Sequence, residues 1–328
     1  MNRTAPLVMA ACAALLAPRA PGAEGVPMDM AGPVRARCDD PAGASLVRVV
    51  VVRGWARSQH ATAAAAFTAH LTDVRGTLLQ VIEVLLDEGH EAVVARIGDV
   101  CPALTVAVGD AAARFVRRNL PRLPAVFLLV RDRDAAGVAH DGQRGLTGVL
   151  LRLSPALQVD VVRRTLPRIR RVGTLCGGPA TCALAREIAE AGRARDLVVE
   201  IAHVRSGGAS RAAVVRMRPR VDALWLLPDR IAGHASLILY ALRWRIPTIT
   251  FEPRFMRRGA VLSVSPDFVD QGRQAAVLAA RVLDGAPPTA LPVEWPRKPF
   301  VAINRPAAAL TRVALATDAL DAADEVVP

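Results

Sequence analysis

Polar and charged residues stand just after several apolar runs of this chain, where binding chemistry would sit if those runs are buried strands. Trp55 comes shortly after "LVRVVVV" (Leu46 to Val52). Asp110 and Ala111 follow "ALTVAVG" (Ala103 to Gly109), and Arg131 and Asp132 follow "PAVFLLV" (Pro124 to Val130). Gly177 and Gly178 follow "RVGTLC" (Arg171 to Cys176), Asp229 follows "DALWLLP" (Asp222 to Pro228), and Glu252 follows "PTITF" (Pro247 to Phe251). Ser265 lies in "SVSPD", between a short apolar run and a helical pattern.

These residue types suit the grip of a small polar molecule. Backbone N–H groups at Asp110 and Ala111, opening a helix, can hold an anionic group. The Asp110 carboxylate repels a carboxylate and suits an amino group or a cation; its structural use would be a helix N-cap. Arg131 and Asp132 can clamp a zwitterion or pair with each other. Gly177 and Gly178 allow close backbone approach, or a tight turn. Asp229 can accept from a ligand or cap a helix. Glu252 can bind an amino group or hydroxyls, or pair with an arginine of "RFMRR". Trp55 can stack on a ligand or pack in the core. Ser265 can face the ligand and also cap the helix that follows, with Pro266 at the first helical position.

Catalytic patterns do not appear. The chain has no G-x-S-x-G, P-loop, H-E-x-x-H or strand-linked G-x-G-x-x-G motif. Its six histidines, at 60, 70, 90, 140, 203 and 234, have no metal-binding spacing, and His60 and His70 are expected to face solvent. The cysteines argue against zinc, having neither the spacing nor nearby histidines. Cys176 as a nucleophile has no ordered histidine partner. A local Cys176–Cys182 disulfide is expected, leaving Cys38 to pair with Cys101. No cofactor and no metal are expected.

Alternating elements must position these residues. Leu46 to Val52 is a continuous β-branched run, as in a buried parallel strand. Strands at 77–86, 103–109 and 124–130 follow, with helices between them. After a loop-rich stretch from 131 to 151 the pattern restarts, with strands at 171–176, 197–204, 222–228 and 247–251. A last strand–turn–helix unit spans Ser263 to Gly285. The fold class is α/β, with two doubly wound parallel-sheet lobes joined by a multi-strand hinge. Lobe one takes 45–150 plus 262–288, and lobe two takes 151–261 plus 289–328. In open α/β sheets ligands bind off the carboxyl ends of strands, so a clamshell would aim both sets at one cleft.

Composition narrows the partners. The 328 residues are 52% hydrophobic and 22% charged, which supports a sizeable core. The net charge of +12 invites a nucleic-acid reading. All basic residues but Lys298 are arginine, they are scattered, and aromatics reach only 4%, leaving little for bases to stack on. No nucleic-acid partner is expected. Residues 1–24 read as a signal peptide: Arg3, an apolar stretch from Pro6 to Ala17, then small residues. Lipid anchoring at Cys12 ranks second. Residues 25–44 read as a flexible lead-in, and a periplasmic location follows.

The second half carries a more specific signal. "VDALWLLPDRIAGHASLILYALRWRIPTITF", then "SPDFVDQGRQAAVLAARVLDGAPPTALPVEWPRKPFVAINRPAAAL" and the ending "DALDAADEVV" resemble the ABC-transporter substrate-binding proteins of the tryptophan/tyrosine type. "AVGDAAARFVRRNLPRLPAVFLLV" resembles part of their first lobe. The resemblance covers roughly residues 45 to 328. It implies the type I periplasmic binding fold with three crossings between lobes, no catalysis, a small-molecule ligand and an ABC permease partner in the inner membrane. The expected function is an extracytoplasmic solute-binding protein, monomeric, taking a small polar solute such as an amino acid. The alternative is a clamshell sensor signalling to a membrane partner without transport. Departures fall at the cleft positions: Asp110 replaces the usual Gly-Thr, Arg131 to Arg133 replace Gly-Asp-Pro, and Val264 and Ser265 replace Tyr-Gly. The resemblance therefore implies the clamshell and leaves the ligand open.

Overall fold

The computed structural model describes residues 46–54, 58–76, 79–131, 146–229 and 234–328. The expected signal peptide and lead-in lie outside the described residues. Two parallel-sheet lobes make up the α/β fold.

The first sheet has five parallel strands in the order β2-β1-β3-β4-β5: β1 (Val47–Arg53), β2 (Leu79–Leu85), β3 (Leu104–Val108), β4 (Ala125–Val130) and β5 (Leu146–Leu150). Helices α1 (Ser58–Arg75), α2 (His90–Val100) and α3 (Asp110–Asn119) connect them. The continuous valine run of β1 is explained by burial on both sides. Val49 and Val51 pack with Phe67 and Leu71 of α1 on one face, and Val50 and Val52 pack with Val93, Ile97 and Phe115 on the other. Strand β5 was not expected: its five residues sit at the end of a polar loop-rich stretch and Gly148 interrupts the apolar run, so the local pattern is too weak to read.

The second sheet has seven strands in the order β12-β11-β10-β9-β8-β6-β7. In chain order come α4 (Pro155–Thr165), β6 (Arg171–Cys176), α5 (Pro179–Arg193), β7 (Val198–His203), α6 (Gly207–Met217), β8 (Ala223–Leu226), α7 (His234–Arg243) and β9 (Thr248–Thr250). Then follow β10 (Leu262–Pro266), α8 (Phe268–Leu283), β11 (Pro299–Asn304), α9 (Arg305–Thr311) and β12 (Glu325–Val327). Trp225, Ile249 and Leu262 pack under α4 and α5, while Leu224 and Leu226 pack under α6 and α7.

The unit at 262–288 divides between the lobes, which corrects its expected assignment to lobe one. Strand β10 pairs with β9 and β11 in the second sheet. Helix α8 crosses, packing along α1 with Ala275, Ala276 and Ala279 in the first lobe's core, and the chain stays there through Leu291 and Glu294, which corrects the expected start of lobe two at 289. The cap is also corrected. Ser265 and Pro266 belong to the strand, because their backbones pair with Phe300 and Pro299. Asp267 is the N-cap, accepting from the N–H groups of Val269 and Asp270.

Three chain crossings form the hinge: β5 into α4, β10 into α8, and the segment from Glu294 to Pro299. Gln271 and Gln274 on α8 are 0% and 1% exposed and bind these segments. Gln271 Nε2 donates to the Leu150 carbonyl. Gln274 Nε2 donates to the Trp295 carbonyl at 3.0 Å and to Glu294, and its Oε1 accepts from Arg297 N–H. Glu294 adds to the edge of β5 through two backbone bonds, both at 2.9 Å. Arg152 sits over the Trp295 ring at 5.0 Å and pairs with Glu187. Lys298, the only lysine of the chain, bonds Asp267 at 2.8 Å.

Two expectations follow. A Cβ on Gly272 would lie 2.3 Å from the Ala63 carbonyl oxygen and 2.9 Å from the Phe67 nitrogen, so Gly272→Ala must push α8 off α1. We expect a loss of about 1–3 kcal/mol, read by urea denaturation. Burial alone would raise the Asp267 carboxyl, but the Lys298 hydrogen bond and the two amides outweigh it and hold it below its ordinary value. Its charge therefore stabilises the fold above the unfolded carboxyl's pKa of about 4, and that contribution fades as pH falls through the lower folded value. Asp267→Asn keeps a cap and removes the charge. It should cost about 0.5–1 kcal/mol at neutral pH, with the gap closing in acid.

Candidate functional site

The hinge fixes which edges face each other. The chain leaves the first lobe at the carboxyl end of β5 and leaves the second at the carboxyl end of β10. Strands β1, β3 and β4 run parallel to β5, and β6, β8 and β9 run parallel to β10. Their carboxyl ends therefore share the two edges that meet at the hinge. The residues singled out from the sequence lie on these edges, at Asp110, Ala111 and Arg131 in the first lobe and Gly177, Asp229 and Glu252 in the second.

On the first edge, Gly109 turns β3 into α3 with φ 87, a left-handed value that suits glycine. Asp110 is the first residue of α3, and its side chain makes no capping bond; Gly109 occupies the cap. This corrects the expectation of an Asp110 cap. The carboxylate reaches instead across to the end of β4, accepting from the Arg131 N–H at 3.0 Å and from its guanidinium. Asp110 is largely shielded while Arg131 is 69% exposed, so the guanidinium is presented to solvent on a fixed anchor. A Cβ on Gly54 would lie 3.0 Å from the Ala111 Cβ, so the end of β1 closes on the start of α3. Trp55 and Asp132 lie outside the described residues.

His60 belongs to the same corner. It lies in the first turn of α1, and a Cβ on Gly109 would come within 2.8 Å of its ring. It is half-buried, which corrects its expected outward orientation. The alanine-rich sequence around it gave no sign of this, because the contact joins α1 to the turn after β3. His70 is also half-buried, facing the surface groove between α1 and α8 with Asp73 and Arg273.

On the second edge, Asp229 accepts from the Gly177 N–H at 2.7 Å, tying the turn after β8 to the turn after β6. Gly178 is the N-cap of α5. Glu252 pairs with Arg254, an arginine of the "RFMRR" stretch, leaving a half-buried carboxylate beside Phe251. Phe251 stacks on the buried Trp225 with ring centroids 6.3 Å apart. It is a half-buried aromatic on this edge that the sequence reading passed over. Ser265 is 2% exposed and lies inside β10, its backbone paired with Phe300 of β11.

Cys176 and Cys182 form a disulfide at the same edge. His203 Nδ1 lies 3.4 Å from the Cys176 sulfur and 3.5 Å from that of Cys182. The expectation that no histidine stands near these cysteines is thereby overturned. The register of the sheet causes it: Cys176 and His203 are direct partners across β6 and β7. Cys101 is also disulfide-bonded, and its expected partner Cys38 lies outside the described residues.

The arrangement offers hydrogen-bond acceptors, an exposed guanidinium and an aromatic face on two edges joined by a hinge. Such groups can hold a polar solute. No described helix is long and apolar enough to cross a membrane.

The geometry agrees with known proteins. The family model "ABC transporter substrate binding protein" matches residues 80–327. Among solved structures, the ABC domain in complex with L-Trp from Streptococcus pneumonia is 19% identical, with a TM-score of 0.61 over 86% of this chain and 100% of that one. The ligand-free, open structure of CD0873 from Clostridium difficile, a substrate binding protein with adhesive properties, is 13% identical, with a TM-score of 0.73 over 86% and 99%. AraP, an arabinose binding protein from Geobacillus stearothermophilus, is 11% identical, with a TM-score of 0.57 over 82% and 99%. At these identities the structures speak for the fold, which is that of type I periplasmic binding proteins. No curated protein matches the chain. On the breadth of the family match, together with its two hinged parallel-sheet lobes, this chain belongs to the ABC transporter substrate-binding proteins.

Proposed function

We propose that this protein is an extracytoplasmic receptor of an ABC-type importer, closing its lobes on a small polar solute. An amino acid is the first candidate. The observation that carries the reading is the pair of hinged edges, one bearing Asp110 with its anchored Arg131, the other bearing Asp229 and Glu252. A guanidinium on one lobe and a carboxylate on the other suit the two charges of a zwitterion. The structural neighbour bound to L-Trp is consistent with that class, and the arabinose binding protein shares the same architecture.

In this reading residues 1–24 direct export to the periplasm, where the protein acts as a monomer. The closed form then docks on a permease in the inner membrane. Closure buries the solute against both edges and so lowers the free energy of the closed state alone. No catalytic step is assigned to it.

A thermal-shift panel of amino acids, peptides, nucleosides and sugars tests this. We expect one class to raise Tm, with about 2.7 kcal/mol of stabilisation when the solute reaches a hundred times its Kd. Arg131→Ala and Glu252→Gln should each weaken that solute about ten- to a hundredfold, the loss of one charge-assisted hydrogen bond. Sugars alone shifting Tm would point away from the zwitterion. No shift with any class would contradict the receptor.

A further inference from the structure

Cys176, Cys182 and His203 place two sulfurs and one imidazole nitrogen within 4.8 Å of one another. Cys176 closes β6, His203 closes the neighbouring β7, and Cys182 lies in the opening turns of α5. Three separate elements thus aim ligand atoms at one point. Both cysteines are buried, while His203 is exposed, so the point is reachable from solvent on one side.

We propose that, once the disulfide is reduced, this triad binds a thiophilic metal ion of the zinc class, with a fourth coordination position open to solvent. Two thiolates and an imidazole are the donor set for such ions. In a tetrahedral site with ordinary Zn–S and Zn–N bonds, sulfur and nitrogen ligands stand about 3.5 Å apart. The S···N separations here are 3.4 and 3.5 Å. His203 therefore already stands at the ligand-to-ligand separation from both sulfurs, and reduction must let the two sulfurs move apart to the roughly 3.8 Å that two thiolates keep on one tetrahedral ion.

The chemistry balances with one external reagent. A dithiol reductant gives two electrons and two protons to the S–S bond, becoming a disulfide itself and leaving two Cys thiols. Metal binding then displaces the two thiol protons into solvent. The oxidised and metal-bound states exclude each other, because both use the same two sulfurs. Gly177, in the loop between the cysteines, is held by Asp229, so the exchange would act on the second edge of the candidate solute site.

Cobalt(II) titration of the full-length protein, reduced with a phosphine under anaerobic conditions, tests this. The reduced protein should take up one Co(II) per chain, with the visible absorption of a tetrahedral thiolate site. The oxidised protein should not. Cys182→Ser should lose the signal, and His203→Gln, which keeps the disulfide and the fold, should weaken binding about tenfold or more. Circular dichroism reports the fold throughout. If reduction unfolds the chain, Co(II) should restore it in the wild type and not in Cys182→Ser. An equal signal in all three proteins would place the metal elsewhere and overturn the proposal. So would a folded reduced protein without the signal, or an unfolded one that Co(II) does not rescue.

Discussion

The two lobes depend on the way a single helix is gripped where the chain crosses between them. Helix α8 starts from a strand of the second sheet and packs along α1 in the first lobe. Its buried amides, Gln271 and Gln274, bind the carboxyl end of β5 and the returning segment at Glu294 and Trp295. A buried amide without partners is costly, so each glutamine holds those segments at hydrogen-bond distance. Asp267 and Lys298 close the remaining crossing at the solvent side. The hinge is thus polar and specific in its partners, while each lobe core is apolar and independent. That division lets the lobes move about the crossings without disturbing either core.

The same crossings decide what the edges can do. All five strands of the first sheet, and all of the second except β11 and β12, have their carboxyl ends on one side, and the hinge sits on that side of both lobes. Function can then change through single side chains after strands while the lobes stay the same. Asp110 illustrates this: it opens α3 just after β3, anchors Arg131 and leaves the first-lobe core untouched. The arginine-rich composition belongs to the surface at large, whereas the chain's one lysine has a local task at the hinge.

Much of the fold was legible in the sequence because its signals are local. The valine run of β1 and the small-residue face of α8 each declare burial within a few residues. Strand β5 escaped because Gly148 and a polar approach dilute its pattern. The cap of α8 was misplaced by two residues, since Ser265 and Pro266 look like a cap and first turn until β11 pairs with them. The site was less legible for a physical reason. Asp110 to Arg131, Gly177 to Asp229 and Cys176 to His203 are contacts between neighbouring strand ends. Strand order creates them, and spacing along the chain carries no trace of it. A residue's position after a strand could be read, but its partner could not.

Closure about this hinge is the central claim, and small-angle X-ray scattering during solute titration measures it directly. The account predicts that the radius of gyration falls as the solute saturates, in step with binding measured by calorimetry. Tight binding with an unchanged radius of gyration would contradict it.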